Sequence, residues 1–216
     1  PYLYSPGIPD QTHHGLPHYS LKKTNQYFLF MGRLLERECP KNILKIFYEV
    51  HVANPEVHFV FIGDDDRSGI SRLIKSLEIP EDNDFMSKLQ VKGFVGDAER
   101  QTLVRQAIGT IILRRNTREN RYLFPSRVVE FFQFGCPVIM NKIESFSYNF
   151  RTGCEQFIES YNDVDGAREL LLRLYRDSAY RSELIEAQLA LYLRRYSEDN
   201  LIGGISDFFA VQNPKV

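Results

Sequence analysis

YFLFMGRLLERECPKNILKIFYEVHVANPEVHFVFIG, residues 27–63, contains a complete strand, helix and strand. It opens with the apolar run Tyr27-Phe28-Leu29-Phe30-Met31 and closes with another at 57–62. Both runs are continuous where a half-exposed strand would alternate, as expected of strands covered on both faces in a parallel sheet. Between them Ile43, Ile46, Phe47 and Val50 stand at i, i+3, i+4 and i+7 and share one face of a helix. This order and spacing predicts a βαβ unit.

The pattern repeats outward. Further apolar runs lie at 89–95, 108–113, 137–140 and 157–158. Helical spacings fall between them: Leu103, Val104, Ala107 and Ile108, then Val128, Phe131 and Phe132. Beyond the last run, Ala167, Leu170, Leu171 and Leu174 are followed by Leu189, Tyr192, Leu193 and Tyr196, so the final stretch reads as helical throughout. The predicted fold is α/β, a doubly wound, Rossmann-like parallel sheet with a helical carboxyl-terminal tail. Residues 1–24, with four prolines and little periodicity, read as an interdomain linker, and 25–216 as the folded domain. A linker at the front implies a longer protein with another domain before it.

Composition narrows the function. Lys and Arg number 27 against 28 Asp and Glu, which argues against a general nucleic-acid binder. Hydrophobic residues make up 43%, enough for a core and too many for a disordered chain. No apolar run approaches the roughly 18 residues of a membrane span, and no signal segment is visible. Cys39, Cys136 and Cys154 are too sparse for a disulfide framework, and a cytoplasmic location is expected.

In a doubly wound sheet ligands bind beyond the carboxyl ends of the strands. After the first strand, Arg33, Arg37 and Lys41 suit a phosphate-bearing ligand. Glu36 and Glu38 alternate with them, so a solvated, charge-balanced loop is the competing reading. Asp64, Asp65 and Asp66 after the second strand read as a helix cap in preference to a metal site, and no second cluster completes a metal site. After the fourth strand, Arg114, Arg115, Arg118, Arg121 and Arg127 form the strongest anion-binding feature, unless they simply face water. They lead to Pro125 and Ser126 at a helix start, where backbone N–H groups are available. Glu130, one turn inside, suits ribose hydroxyls, or is an ordinary exposed helix residue. His13, His14 and His18 lie in the linker and read as a polar segment. Dinucleotide-fold GxGxxG, P-loop, nucleophile-elbow and HExxH patterns are not found.

Taken in order, the motifs resemble the carboxyl-terminal, donor-binding domain of a GT-B-fold retaining glycosyltransferase of family four, the group 1 glycosyl transferases. SPGIP at 5–9 resembles the linker motif, FLFMGRL at 28–34 the first strand with its Gly-Arg, and KNILKIF at 41–47 the following helix start. VHFVFIGDDD at 57–66, VKGFVGDAE at 91–99 and PSRVVEFFQFGCPVI at 125–139 resemble the next three motifs, and 154–158 sits at the family's Gly-rich strand. Each motif is weak alone; their order and spacing make the resemblance specific.

The resemblance implies a hexosyltransferase-type enzyme of polysaccharide biosynthesis. It would take a UDP- or GDP-linked sugar and no separate cofactor or metal, and would transfer the sugar with retention to a glycan or lipid-linked acceptor. The amino-terminal domain would hold the acceptor, and peripheral attachment at the inner membrane face is compatible with the family. Arg33 and Lys41 would hold the diphosphate, next to Gly32. Arg37 is the alternative to Lys41, because the loop is about three residues longer than usual. Glu130 would bind ribose, Lys92, Gly93 and Phe94 would lie near the base, and backbone N–H groups around Leu123, Phe124, Pro125 and Ser126 would approach the phosphates. Arg114 lies in the same loop, and Arg127 replaces a Lys of one subset. Tyr122 stands where the family commonly has a Glu on the donor sugar. The arginine excess suggests an acidic donor or acceptor such as a uronic acid, against the simpler reading that most of these arginines face water. The alternatives are a nucleotide-sugar epimerase of similar fold and a non-catalytic, degenerate transferase domain.

Overall fold

The computed structural model describes residues 27–63, 67–77, 83–200 and 202. The linker with its three histidines, Asp64 to Asp66, and the end of the predicted helical tail (201 and 203–216) lie outside the described residues. Six parallel strands form one sheet in the order β3-β2-β1-β4-β5-β6. They are β1 (Tyr27–Gly32), β2 (His58–Gly63), β3 (Leu89–Gly93), β4 (Gly109–Ile112), β5 (Val138–Asn141) and β6 (Phe157–Ile158). The order runs outward from β1 in one direction and from β4 in the other, so the topological switch point lies between them.

The continuous apolar runs have the predicted cause. Along β1, Phe28 and Phe30 enter one core cluster, whereas Tyr27 and Leu29 enter the other. Along β2, Phe59 and Phe61 divide from Val60 and Ile62 in the same way. The first cluster is closed by α1 (Pro40–Ala53) and α8 (Val164–Arg176). The second is closed by α6 (Ser126–Gln133), α7 (Glu144–Phe150) and α9 (Ser178–Arg195). Helices α2 (Arg67–Ser76), α3 (Asn83–Lys88), α4 (Asp97–Gln106) and the short α5 (Arg118–Tyr122) complete the layers.

Boundaries moved where a backbone bond competed with side-chain pattern. Ala107 and Ile108 continue the apolar spacing of α4, yet the helix stops at Gln106. The Ile108 N–H donates to Tyr27 O at 2.9 Å and takes the chain into the sheet. The helical tail contains two helices joined at Asp177, which ends α8 and caps α9, its carboxylate accepting from Tyr180 N at 2.9 Å. In α9 the buried Gln188 satisfies both backbone groups of Val138, accepting from its N–H at 3.0 Å and donating to its C=O at 2.9 Å. This fixes the carboxyl-terminal helix against β5.

Phe47 carries much of the first core. Its ring stacks on Phe59 with centroids 4.6 Å apart and meets Phe61 edge-on at 5.7 Å. Phe47→Ala leaves a cavity under β1 and β2 and should cost about 3–5 kcal/mol in unfolding free energy. Urea denaturation followed by circular dichroism measures it; a loss under about 1 kcal/mol would mean that the neighbouring rings collapse into the space.

Candidate functional site

The carboxyl ends of β1, β2 and β3 all finish on glycine. Gly32 pairs with Gly63 in register, and Gly93 follows Ile62 across a register shift. Gly63 has φ 132° and Gly93 φ 69°, backbone that side chains rarely adopt. Gly32 is needed for space instead. A Cβ there would lie 2.0 Å from Glu38 Oε2 and 2.7 Å from Arg127 Nη1.

The segment after β1 is more structured than a charge-balanced loop. Residues Glu36–Glu38 form a 3-10 turn, Cys39 adopts the left-handed conformation at φ 51°, and α1 starts with Pro40 in its first turn. A left-handed non-glycine residue costs roughly 1–2 kcal/mol. Burial of Cys39 and of Glu38, whose side chain is 3% exposed, holds it there. Arg33, Arg37 and Lys41 are exposed, and none forms an ion pair with a described residue. These three face solvent at the mouth of the sheet and are available to an anion.

Three of the five arginines after β4, Arg115, Arg118 and Arg121, are exposed, in line with the simpler reading that most of them face water, and Arg114 and Arg127 are partly buried. Arg115 pairs with Glu36 at 3.4 Å, and Arg121 faces Glu144 at 3.6 Å while donating to Asn116 Oδ1 at 2.8 Å. Arg127 Nη1 lies 2.6 Å from Glu38 Oε2, with Arg114 Nη2 at 3.9 Å from the other oxygen. Of the five, Arg118 alone forms no ion pair with a described residue. Burial pulls the Arg114 guanidinium below its usual range, opposed by the Glu38 charge. Its backbone is clamped by Asn141 at the end of β5, which accepts from Arg114 N at 2.8 Å and donates to Arg114 O at 3.0 Å. The chain then turns through α5, capped by the Thr117 hydroxyl accepting from Asn120 N.

The backbone donors expected at 123–126 are largely taken. Leu123 N–H donates to Glu119 O at 3.0 Å, Ser126 N–H to Phe124 O at 3.1 Å, and Pro125 has no N–H. Side chains on α6 point into the crevice instead. Arg127 Nη1 also donates to Met31 O at 2.9 Å, tying the start of α6 to the end of β1. One turn on, Glu130 is mostly buried, its side chain 16% exposed. Arg100 Nη1 of α4 lies 2.7 Å from Glu130 Oε1, out of line for a hydrogen bond, so that buried oxygen has a charge partner but no donor. Burial pushes the Glu130 carboxyl above its ordinary value, against the pull of Arg100 and Arg127. Glu130 is therefore not the exposed helix residue of the alternative reading.

Lys92 pairs with Glu99 at 2.7 Å. Phe94 is 74% exposed beyond Gly93, and Tyr122 and Leu123 are exposed at the end of α5. Among the described residues no three His, Cys, Asp or Glu side chains are grouped as a metal site, and all three cysteines are free. Glu38, Asn141 and Arg100 escaped the sequence reading. Glu38 was one acid in a mixed run, and its only signal was its place in the lengthened loop. Asn141 was a polar end to an apolar strand, and Arg100 was one more charge on a surface helix.

A family model described as "Glycosyl transferases group 1" matches residues 17–189. Sequence comparison with curated proteins finds no match. The fold is similar to that of Staphylococcus aureus TarM, at TM-score 0.70 and 12% identity over 91% of this chain. It is also similar to pneumococcal O-GlcNAc transferase GtfA, solved with UDP and GlcNAc (0.69, 14%, 92%), and to Anabaena HepE, solved with UDP and glucose (0.67, 14%, 88%). The chain spans only 37%, 38% and 49% of those three structures.

Two outcomes follow from this geometry. Asn141→Ala leaves the Arg114 N–H and C=O without their partner and should cost about 1–3 kcal/mol, read from chemical denaturation; an unchanged midpoint would mean the loop is held elsewhere. Glu130 has a raised folded pKa, so the native state binds more protons across the carboxyl range. Its contribution to stability is therefore present at low pH and is lost as pH rises from the ordinary carboxyl value through the raised one. The stability of Glu130→Gln relative to the natural protein should accordingly improve as pH rises above the ordinary carboxyl range. Paired urea melts test this, and a flat difference would contradict it.

Proposed function

The chain belongs to the group 1 glycosyl transferases, and from that membership and the crevice chemistry we propose that it is the donor-binding domain of a nucleotide-sugar-dependent transferase. Glu130 carries the proposal. A buried carboxylate oxygen with no hydrogen-bond donor, one turn into the helix beside the switch point, is suited to ribose hydroxyls. Exposed Phe94 offers a face for the base at the end of β3.

In the proposed complex the diphosphate lies over Gly32. Arg33 and either Arg37 or Lys41 neutralise it from the open side, with Arg127 and Arg114 below. As the glycosidic bond to the donor breaks, negative charge grows on the leaving diphosphate, and preorganised cations there lower the barrier more than they favour the ground state. The same cations serve in place of a metal. Solved neighbours carrying UDP support a nucleoside diphosphate ligand. We extend the reading to a UDP- or GDP-linked hexose, to transfer with retention, and to a glycan or lipid-linked acceptor held by a domain outside this sequence, in polysaccharide biosynthesis. The setting proposed is the cytoplasm, with optional attachment at the inner membrane face. No helix among the described residues is long and apolar enough to cross a membrane.

Calorimetric titration with UDP, GDP, ADP and CMP tests the proposal. One nucleoside diphosphate should bind above the others, and Glu130→Ala should weaken it by about 1–3 kcal/mol, the range for a lost charged acceptor. If no nucleotide binds this chain or the full-length protein, the domain is a degenerate, non-catalytic copy. If Glu130→Ala binds unchanged, the ribose lies elsewhere.

A further inference from the structure

The glycine cradle at the end of β1 is already filled by an anion, the Glu38 carboxylate. Its Oε2 sits 2.0 Å from where a Gly32 Cβ would stand, and Arg127 Nη1 approaches the same oxygen to 2.6 Å. Arg114 faces the other oxygen at 3.9 Å, and Glu38 is 3% exposed. Two guanidinium groups around an anion, over a glycine with no side chain, have the chemistry of a phosphate site. Glu38 reaches it from a 3-10 turn that ends in left-handed Cys39, so the acid is carried by a short segment anchored at α1.

We propose that Glu38 is an internal competitor for the diphosphate subsite. Resting on the donor-domain reading, this means that the carboxylate occupies the cradle when the crevice is empty and leaves it when a diphosphate binds. A diphosphate carries more charge than one carboxylate and also reaches the exposed Arg33, Arg37 and Lys41, so it can displace the acid although a single monoanion would gain nothing. Glu38 would thus keep Arg127 and Arg114 paired and in place between turnovers, and set a threshold against weak anions. It is a positioning and selectivity residue, with no contact to the reacting bond.

The probe is inorganic pyrophosphate, titrated calorimetrically into the natural protein, Glu38→Gln and Glu36→Gln, with UDP and GDP as further ligands. Glu38→Gln removes the competing charge at nearly constant shape and should bind pyrophosphate roughly tenfold tighter or more. Glu36→Gln removes the same charge from the exposed start of the turn and should change affinity little. Pyrophosphate should also raise the melting temperature of Glu38→Gln by more than that of the natural protein, because it restores a partner to Arg127. If Glu38→Gln is unfolded in plain buffer, recovery of the fold on adding pyrophosphate supports the proposal, and no recovery overturns it. Equal gains in both variants, an unchanged or weaker affinity in Glu38→Gln, or no pyrophosphate binding by any of the three would also overturn it. The two readings separate cleanly. A pyrophosphate gain with neither UDP nor GDP bound retains the competitor and sinks the donor domain; binding of either nucleotide without a pyrophosphate gain does the reverse.

Discussion

The mouth of this sheet depends on Gly32 having no side chain. Any Cβ at that point would collide with the Glu38 carboxylate and crowd Arg127. The adjacent strand adds a second constraint, because a Cβ on Gly63 would stand 2.2 Å from Gly32 O. The two strand ends therefore approach each other this closely only because Gly63 has no side chain. The room left at Gly32 is taken by Glu38 and by Arg127, which reaches across from α6 to donate to Met31 O. Helix, strand end and buried acid are locked to one another around a missing methyl group.

Charge in the crevice is arranged in two tiers. The deeper tier sets two guanidinium groups, Arg114 and Arg127, against the single buried carboxylate of Glu38, so it is partly neutralised within the chain. The shallower tier, Arg33, Arg37 and Lys41, carries no internal counter-ion among the described residues. Water meets the hydration needs of the shallow cations, so leaving them unpaired costs little. The deep pair fixes geometry, and the shallow three supply attraction. This division explains how a chain with net charge −1 can still present a cationic mouth. The acids that balance the total sit on other faces or beneath the arginines.

The fold was legible because its cause is local and repeated. Phe28-Leu29-Phe30 and Phe59-Val60-Phe61 must be covered on both faces, and only a helix-flanked parallel sheet does that within a βαβ repeat. Helix ends were less legible. Whether Ile108 continues α4 or enters the sheet depends on the carbonyl of Tyr27, 81 residues away in sequence. The candidate site was legible in where its residues sit and much less so in their partners. Arg33 and Lys41 are exposed beyond β1, and Glu130 is partly buried on α6. The ion pairs of the arginine run were not legible, because their acids, Glu36, Glu38 and Glu144, come from the turn after β1 and the start of α7. The backbone donors at 123–126 were misjudged for a similar reason. Sequence shows a Pro-Ser helix start, but not that a preceding five-residue helix takes the Leu123 N–H.

Glu38 shows why a mixed-charge loop cannot be read by averaging. In the sequence Arg33, Glu36, Arg37, Glu38 and Lys41 look equally solvated, with the signs alternating along the loop. The 3-10 turn breaks that equivalence. It sends Glu36 and Arg37 outward and Glu38 inward, and left-handed Cys39 then resets the chain for Pro40 to start α1. A one-residue change in loop length would rotate Arg37 or Cys39 toward the cradle; Arg37 would meet Arg127 there with like charge, and Cys39 would leave Arg127 without a counter-charge. The length of this segment, more than its composition, therefore decides that an acid and not a base lies over Gly32. Insertion length is thus a chemical variable in this crevice, because it selects which charge the glycine has to accommodate.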